Sequence, residues 1–414
     1  MRIWIVNPFD PLPGDPEQEG RYATLARLLA QRGHAVTWWT SDFSHRFKRP
    51  VDRAAIEAAC RPLNITPRFL HGPPYFHNVG LARLRNHACL VQHFETAAPV
   101  ERPRPDVIVV SSPPPGLAWA AVRHGRRGGA RTLVDVQDAW PDVFASLVPA
   151  AVRPLLRPAI WALRRPVRRA AADCDALVGV ADAYVENFQK ETTDRKITAT
   201  IPLGVDLAAF DAAVAAGRGP EYTKPPGQVW LAYTGSLNRN YDCLTILDAA
   251  ATLRPRLGER VRFFLTSRGE LAEQAQRIVR DRNLTNVSLT GFLPFETWAY
   301  LLSQCDAGFN ASFPQAMIYL PNKIFYYLAA GVAVLNTIPG QCSRIVQAGG
   351  CGLDYRAGDV ASCAAVIERV VSDEAARQAM RTAARQLAET TYDRALLFPK
   401  YAELIEGLGT RPGR

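Results

Sequence analysis

The residues best suited to chemistry lie in the second half of the chain. In IYLPNKIFYYLAAGVAVLNTIPGQC, residues 318–342, Asn322 and Lys323 open an apolar helix whose pattern runs to Gly331, and a short β-run from Val332 to Asn336 follows. Pro321 suits the first helical positions, where its missing N–H costs nothing. A helix start presents unsatisfied N–H groups at the positive end of the dipole, so it can hold a phosphate, and Lys323 adds a mobile positive charge. The competing reading is a plain helix cap with an exposed lysine. Two further cations, Arg239 and Arg268, each follow a strand-like run in the same half. Within VWLAYTGSLNRNYD, Gly235 permits close backbone approach, and Ser236, Asn238 and Arg239 can face an anionic ligand. Three cations at strand ends point to a diphosphate, which they can stabilise as a leaving group without a metal ion.

A carboxylate of the first half completes the set. RTLVDVQDAWPDVF reads as a strand ending near Asp138, with Trp140 and Asp142 in the loop beyond. Asp135 and Asp138 are separated by an odd number of residues, so an extended chain cannot turn both to one side. Asp138 can accept a proton from an acceptor hydroxyl; equally, it can cap the next helix.

These residues need a scaffold, and the hydrophobic pattern supplies one. Ile3 to Val6 is a short buried strand, YATLARLLAQRGH a helix with a stripe of Tyr22, Leu25, Leu28 and Leu29, and AVTWWTS a second strand. Strand, helix, strand is the opening of a βαβ unit, here without GxGxxG. From Asp42 to Asn78 the periodicity fades, and SDFSHRFKR and HGPPYFHN, with His45, His71, Tyr75, Phe76 and His77, read as loops able to touch an acceptor. Residues 79 to 97 read as a helix. Residues 153 to 169 hold six arginines and no acid among apolar residues, an amphipathic element able to rest on anionic lipid, while three prolines predict a broken helix. After an Ala/Gly/Pro segment, 208 to 227, strand–helix alternation restarts, which predicts two doubly wound α/β domains facing a cleft.

Bulk properties agree with that plan and bound the function. At 414 residues the chain exceeds one ordinary core. Its +10 formal charge favours acidic small molecules or anionic surfaces, and no recognition motif supports nucleic acid as a partner. Eight scattered cysteines show neither CxxC nor metal-ligand spacing, which predicts a reducing, cytoplasmic setting and no metal site. No export segment is evident after Met1, and no apolar run reaches bilayer length.

Taken together, the chain resembles glycosyltransferases of the GT-B architecture, with two Rossmann-like domains, and most of all the retaining group called family 4. The resemblance covers nearly the whole chain. It rests on GRYATLARLLAQRGHAVTWWT, on DVQDAWPD, on IPLGVDLAAF with Leu203 in place of the usual Asn, on YTGSL, on VSLTGFLPFETWAYLLSQCDAGFN and on LPNKIFYYLAAGVAVLNT. DVQDAWPD is similar to a D-x-W-P turn of bacterial enzymes that build surface polysaccharide or lipopolysaccharide.

The resemblance implies an acceptor-binding domain over 1–206, a nucleotide-sugar domain over 207–388 and a C-terminal helix, 389–414, returning towards the first domain. It implies a hexosyltransferase-type reaction, a nucleoside-diphosphate-sugar donor (UDP by default) and a saccharide or lipid-linked saccharide acceptor. No cofactor is required. Arg239, Arg268 and Lys323 would meet the diphosphate, Gly291, Phe292 and Leu293 would lie by the nucleobase, and Asn322 would open the Lys323 helix. The family's two glutamates fall at Ile318 and Tyr326, neither of which accepts a hydrogen bond as a carboxylate does. The family's histidine at the fifth strand is also missing, with Gln137 nearby. A sugar-nucleotide epimerase of the same fold and a noncatalytic binding subunit are the rival readings. The arginine-rich stretch adds a peripheral contact with an anionic membrane, at the cytoplasmic face of the inner membrane.

Overall fold

The computed structural model describes residues 1–14, 20–77, 80–146, 153–193, 196–217 and 222–410. Parts of the stretch to Asn78 and of the 208–227 segment therefore lie outside the described residues, as do residues 15–19. The chain divides into two compact units, Met1–Pro202 with Leu397–Arg414, and Leu203–Leu396.

The first unit is built on a seven-stranded sheet: β1 (Arg2–Val6), β2 (Ala35–Ser41), β3 (Ile65–Leu70), β4 (Val107–Ser112), β5 (Arg131–Val136), β6 (Ala176–Gly179) and β7 (Ile197–Thr200). Its order is β3-β2-β1-β4-β5-β6-β7, every neighbour parallel. Parallel strands covered on both faces need continuous apolar runs, and β4 (VIVVSS) is buried at every position. The Arg21–Gln31 helix packs Tyr22, Leu25 and Leu29 into the same core as Ile3, Ile5 and Val109.

The second unit repeats the plan with β8 (Val229–Thr234), β9 (Val261–Thr266), β10 (Val287–Leu289), β11 (Ala307–Asn310), β12 (Ala333–Asn336) and β13 (Gly352–Asp354). The order is β10-β9-β8-β11-β12-β13, again all parallel. Each sheet is thus Rossmann-like, and each has a switch point where the winding reverses, between β1 and β4 and between β8 and β11. Ligands of open parallel sheets bind outside the strand ends at such a point.

Four expectations need correction. The stretch after Asp42 holds a hairpin (Phe43–Ser44 with Arg49–Pro50), the Arg53–Cys60 helix capped by Asp52, and β3. Pro67 disguises β3, and it is tolerated because β3 is an edge strand with one unpaired side. The arginine-rich segment is one 21-residue helix, Arg153–Asp173, with Pro158 and Pro166 inside it. Each proline removes one hydrogen bond, and packing on the Pro115–Gly128 helix keeps the segment helical. The Ala/Gly/Pro segment, passed over as an interruption of the pattern, opens with the Leu207–Ala216 helix, where alanines favour helix and Asp206 accepts from the Ala209 N–H at 2.9 Å. The helix expected to run to Gly331 spans only Lys323–Ala329.

One charged network is buried in the first core. Arg21 Nε donates to Asp135 Oδ2 at 2.7 Å, Tyr22 and Tyr401 hydroxyls donate to the same oxygen at 2.9 Å each, and Arg21 Nη1 donates to the Ile201 carbonyl at 2.7 Å. Tyr401 lies on the Arg394–Gly409 helix, so Asp135 ties the end of the chain to β5 of the first sheet.

Candidate functional site

In the second unit the candidate residues cluster at the carboxyl ends of β8, β9 and β11. Beyond β8 the backbone turns at Gly235 (φ +121°) and exposes Gly235 and Ser236. The following loop is zipped to the one beyond β9: Leu237 N–H donates to Arg268 O at 2.9 Å and Leu271 N–H to Leu237 O at 3.0 Å. Asn238 Oδ1 accepts from the Asn240 N–H, so this side chain shapes its own turn. Arg239 is solvent-exposed with its Nε 3.8 Å from Glu270, and Arg268 is exposed with its guanidinium 5.6 Å from the Phe292 ring centroid. Gly269 is what allows the two loops to meet. A Cβ there would stand 2.2 Å from Leu237 O. Gly269→Ala should therefore force the loops apart, destabilise the fold by about 1–3 kcal/mol and weaken nucleotide binding. Thermal unfolding and a UDP titration check this, and an unchanged titration would show that the loop pairing does not matter to ligand.

Lys323 corrects the picture of a mobile surface charge. It is 8% exposed. Its Nζ lies 4.5 Å from the ring centroids of both Tyr233 and Tyr241 and donates to Ala311 O at 3.4 Å. Those partners come from the end of β8, from the loop after it, and from just beyond β11, so the ammonium occupies the switch point of the sheet. Burial pushes its pKa down to about 7, opposed by the Cys243 and Cys342 thiols. A seven-residue helix contributes little dipole, so the charge itself carries the electrostatics here. Asn322 is exposed and makes no side-chain cap bond.

The remaining candidates lie after β10 and on the Lys323–Ala329 helix. Gly291 takes φ +72° after β10, Leu293 is half-buried, and Phe292 is 59% exposed beside the Arg268 guanidinium. Tyr326 packs edge-on against Trp298, centroids 5.0 Å apart, with Phe295 and Phe210 close by. Tyr326 is thus held by ring packing.

In the first unit Asp138 stands just beyond β5, half-buried, with its Oδ1 accepting from the Ala139 N–H at 2.7 Å. Burial raises its pKa above the ordinary carboxylate value, against the Ala139 N–H and the Arg83 charge. A cleft lined by Asp138, Trp140, Asp142 and Arg164 adjoins it. Asp135 faces the other way, into the Arg21 network.

Sequence reasoning missed the residues packed against Trp140, two positions beyond Asp138. Arg83 is buried with its guanidinium 4.6 Å from the Trp140 ring and 5.6 Å from Phe9, and it hydrogen-bonds Tyr75. His87 is buried against Trp140 and Phe9 at centroid distances of 5.3 and 5.6 Å. The signal was present in LARLRNHACLVQHF, where Arg83, Asn86, His87, Leu90 and Phe94 share one face of the Leu81–Ala97 helix. A mixed polar and apolar face does not announce burial by periodicity.

Comparison with known proteins places these features in a family context. Residues 19–209 match the model described as Glycosyltransferase Family 4, and residues 228–373 match the one described as Glycosyl transferases group 1. No curated protein sequence matches the chain. Among solved structures, sucrose-phosphate synthase from Thermosynechococcus elongatus superposes with a TM-score of 0.71 at 16% identity over 98% of each chain. Anabaena HepE in complex with UDP-glucose gives 0.65 at 15% identity, covering 98% of this chain and all of that one. WaaG, a glycosyltransferase involved in lipopolysaccharide biosynthesis, gives 0.68 at 15% identity with the same coverage. At these identities the structural likeness establishes the fold, the two-domain GT-B architecture.

Proposed function

We propose that this chain, a GT-B-fold homologue of the family 4 and group 1 glycosyltransferases, moves a sugar from a nucleoside-diphosphate donor to a hydroxyl acceptor. The observation that carries the proposal is Lys323: a buried ammonium between two tyrosine rings, beside the glycine turn after β8, with one hydrogen bond made and further donors to spare. A buried cation is costly, and a diphosphate repays that cost.

The donor is held by the second unit, its diphosphate on Lys323 and within reach of Arg239 and Arg268. Phe292 and Leu293 offer the nucleobase an apolar surface. The uridine nucleotide bound in HepE supports UDP as the default base. With Ile318 and Tyr326 in place of two carboxylates, the ribose and donor-sugar contacts differ from those of family 4. The acceptor belongs to the first unit. Its hydroxyl oxygen attacks the anomeric carbon while the bond from that carbon to the diphosphate oxygen breaks. The diphosphate leaves carrying the electron pair, and for a retaining reaction it takes the hydroxyl proton on the same face. Asp138, with its raised pKa, orients that hydroxyl. The test is a panel of nucleotide sugars with and without saccharide acceptors. Nucleoside diphosphate released only in the presence of acceptor supports transfer; sugar interconversion without acceptor supports an epimerase; no nucleotide-sugar binding supports a noncatalytic subunit.

A role in cell-surface glycan or lipopolysaccharide synthesis, at a cytoplasmic membrane face, is the setting we favour. Its support is the Arg153–Asp173 helix, which is two-sided. Val167 and Ala170 are buried, and Arg164 and Arg168 pair with Asp142 and Glu191. Leu155 and Trp161 are exposed at 78% and 63%, Arg157, Arg165 and Arg169 are exposed as well, and the Arg168 guanidinium lies 5.1 Å from the Trp161 ring. No helix of the described residues is long and apolar enough to cross a membrane. Replacing Arg157, Arg165 and Arg169 with Gln should reduce binding to anionic vesicles, each charge being worth about 1 kcal/mol. Unchanged co-sedimentation would sink the membrane reading.

A further inference from the structure

Among the described residues, the strand ends near Asp138 also bring together several basic side chains from separate elements. His45 and Lys48 come from the 43–50 hairpin, Arg83 and His87 from the Leu81–Ala97 helix, and Asp138 follows β5. Lys48 Nζ lies 3.2 Å from His45 Nδ1, and because an ammonium can only donate, that nitrogen accepts. The Tyr75 hydroxyl reaches the same nitrogen at 2.5 Å and also bonds Arg83. Lys48 stands 4.6 Å from the centroid of the Tyr75 ring. His87 is 7% exposed, and its Nε2 is buried with no hydrogen-bond partner.

Phe9, His45, Lys48, Asp138 and Trp140 are half-buried and so open to a ligand, while Arg83, His87 and Tyr75 lie beneath them. Packing basic side chains together away from water is unfavourable. Burial first, and then the nearby Arg83 charge, hold both His45 and His87 neutral with pKa values pushed down to about 3, and burial with Arg83 lowers Lys48 to about 8, so the positive charge of the cluster is that of Arg83 and Lys48 while His87 offers a neutral ring nitrogen. Among the described residues, a cluster of this kind at a strand-end site, with the buried His87 Nε2 lacking a hydrogen-bond partner, suits a ligand that carries negative charge.

We infer that the acceptor carries an anionic group, a phosphate or a carboxylate, which Lys48 at the rim and Arg83 and His87 beneath it select while Asp138 meets the hydroxyl. The word acceptor rests on the transfer reading; the anion site does not. Charge-assisted hydrogen bonds are the stronger class, so the anion is both an affinity and a specificity element. A free sugar phosphate, a sugar acid and the phosphate of a lipid-linked saccharide share this chemistry.

The experiment is calorimetry on the full chain saturated with UDP, so that the Lys323 region is occupied. The soluble probes are a hexose, the corresponding hexose phosphate and the corresponding uronate. Vesicles with and without a polyprenyl phosphate form the membrane arm. The hexose phosphate or the uronate should bind about tenfold or more tightly than the neutral hexose. Lys48→Gln should remove most of that preference, as should His87→Phe, with UDP affinity unchanged. Selective binding of polyprenyl-phosphate vesicles that is lost in Lys48→Gln assigns the anion to a lipid; the same loss with soluble probes alone assigns it to a soluble acceptor. Equal binding of charged and neutral hexoses, or a preference that survives Lys48→Gln, overturns the inference. Should His87→Phe fail to fold, Lys48→Gln at the rim decides. Absence of UDP binding would sink the transfer reading instead, while a Lys48-dependent anion preference would still establish the anion site.

Discussion

Lys323→Met is expected to lower transfer by 10²- to 10³-fold, in order of magnitude, while making the unliganded protein more stable. The kinetic estimate follows from losing one preorganised charge at a developing leaving-group anion. The stability gain follows from burial. Lys323 sits among Tyr233, Tyr241 and the Ala311 carbonyl, with its pKa lowered to about 7 from the ordinary 10.5. Because the unfolded chain binds the proton more tightly, the penalty is fully present below pH 7 and disappears as pH rises towards 10.5. Wild-type stability should therefore climb across that window by an amount on the order of 5 kcal/mol. Met fills the same space without a charge, so its advantage in unfolding midpoint should be greatest below pH 7 and close at the alkaline end. UDP should raise the wild-type midpoint and leave that of Lys323→Met nearly unmoved. A variant that retains full turnover would remove Lys323 from the mechanism; one that loses turnover with no stability gain would show that the ammonium is not strained in the free protein.

Asp135→Ala should be the most damaging single change in the first unit, costing about 3–5 kcal/mol. It strands the Arg21 guanidinium, which is buried under the Tyr401 ring at 4.8 Å, and it deprives the Tyr22 and Tyr401 hydroxyls of their shared acceptor. Because Tyr401 belongs to the Arg394–Gly409 helix, loosening should show first as proteolysis of that helix, before loss of nucleotide binding by the second unit. Removing both charges together, Arg21→Met with Asp135→Leu, should recover part of the loss, since an apolar pair needs no desolvation. A melting midpoint for Asp135→Ala equal to wild type would rule out the network as the anchor of the C-terminal helix.

How far these residues could be found beforehand depended on the kind of signal each one leaves. Strands such as IWIV, VIVVSS and VWLAYT are continuous apolar runs, and parallel sheets require them, so both sheets were legible. The edge strand with Pro67 and the short Arg53–Cys60 helix were not, because an edge tolerates a proline and eight residues give barely two turns of periodicity. The Arg153–Asp173 helix was legible in its charge and misjudged in its continuity, since packing outweighed its prolines.

The site divides in the same way. Types and order sufficed to bring Gly235, Ser236, Asn238, Arg239, Arg268, Phe292 and Lys323 to strand ends of one unit, because a βαβ chain returns every strand's end to the same edge. Whether Lys323 faced water or lay under two tyrosines was a matter of what packs over it, and Tyr233, Tyr241 and Ala311 come from separate elements. Likewise, the odd spacing of Asp135 and Asp138 separated their directions, yet only the tertiary structure gave one of them Arg21 and set the other near the charge of Arg83. Local sequence determined the elements, since propensity and periodicity act over a few residues. Burial of charge was decided by contacts between residues distant in the chain, and burial is what shifts a pKa and makes a lysine or a carboxylate fit for chemistry.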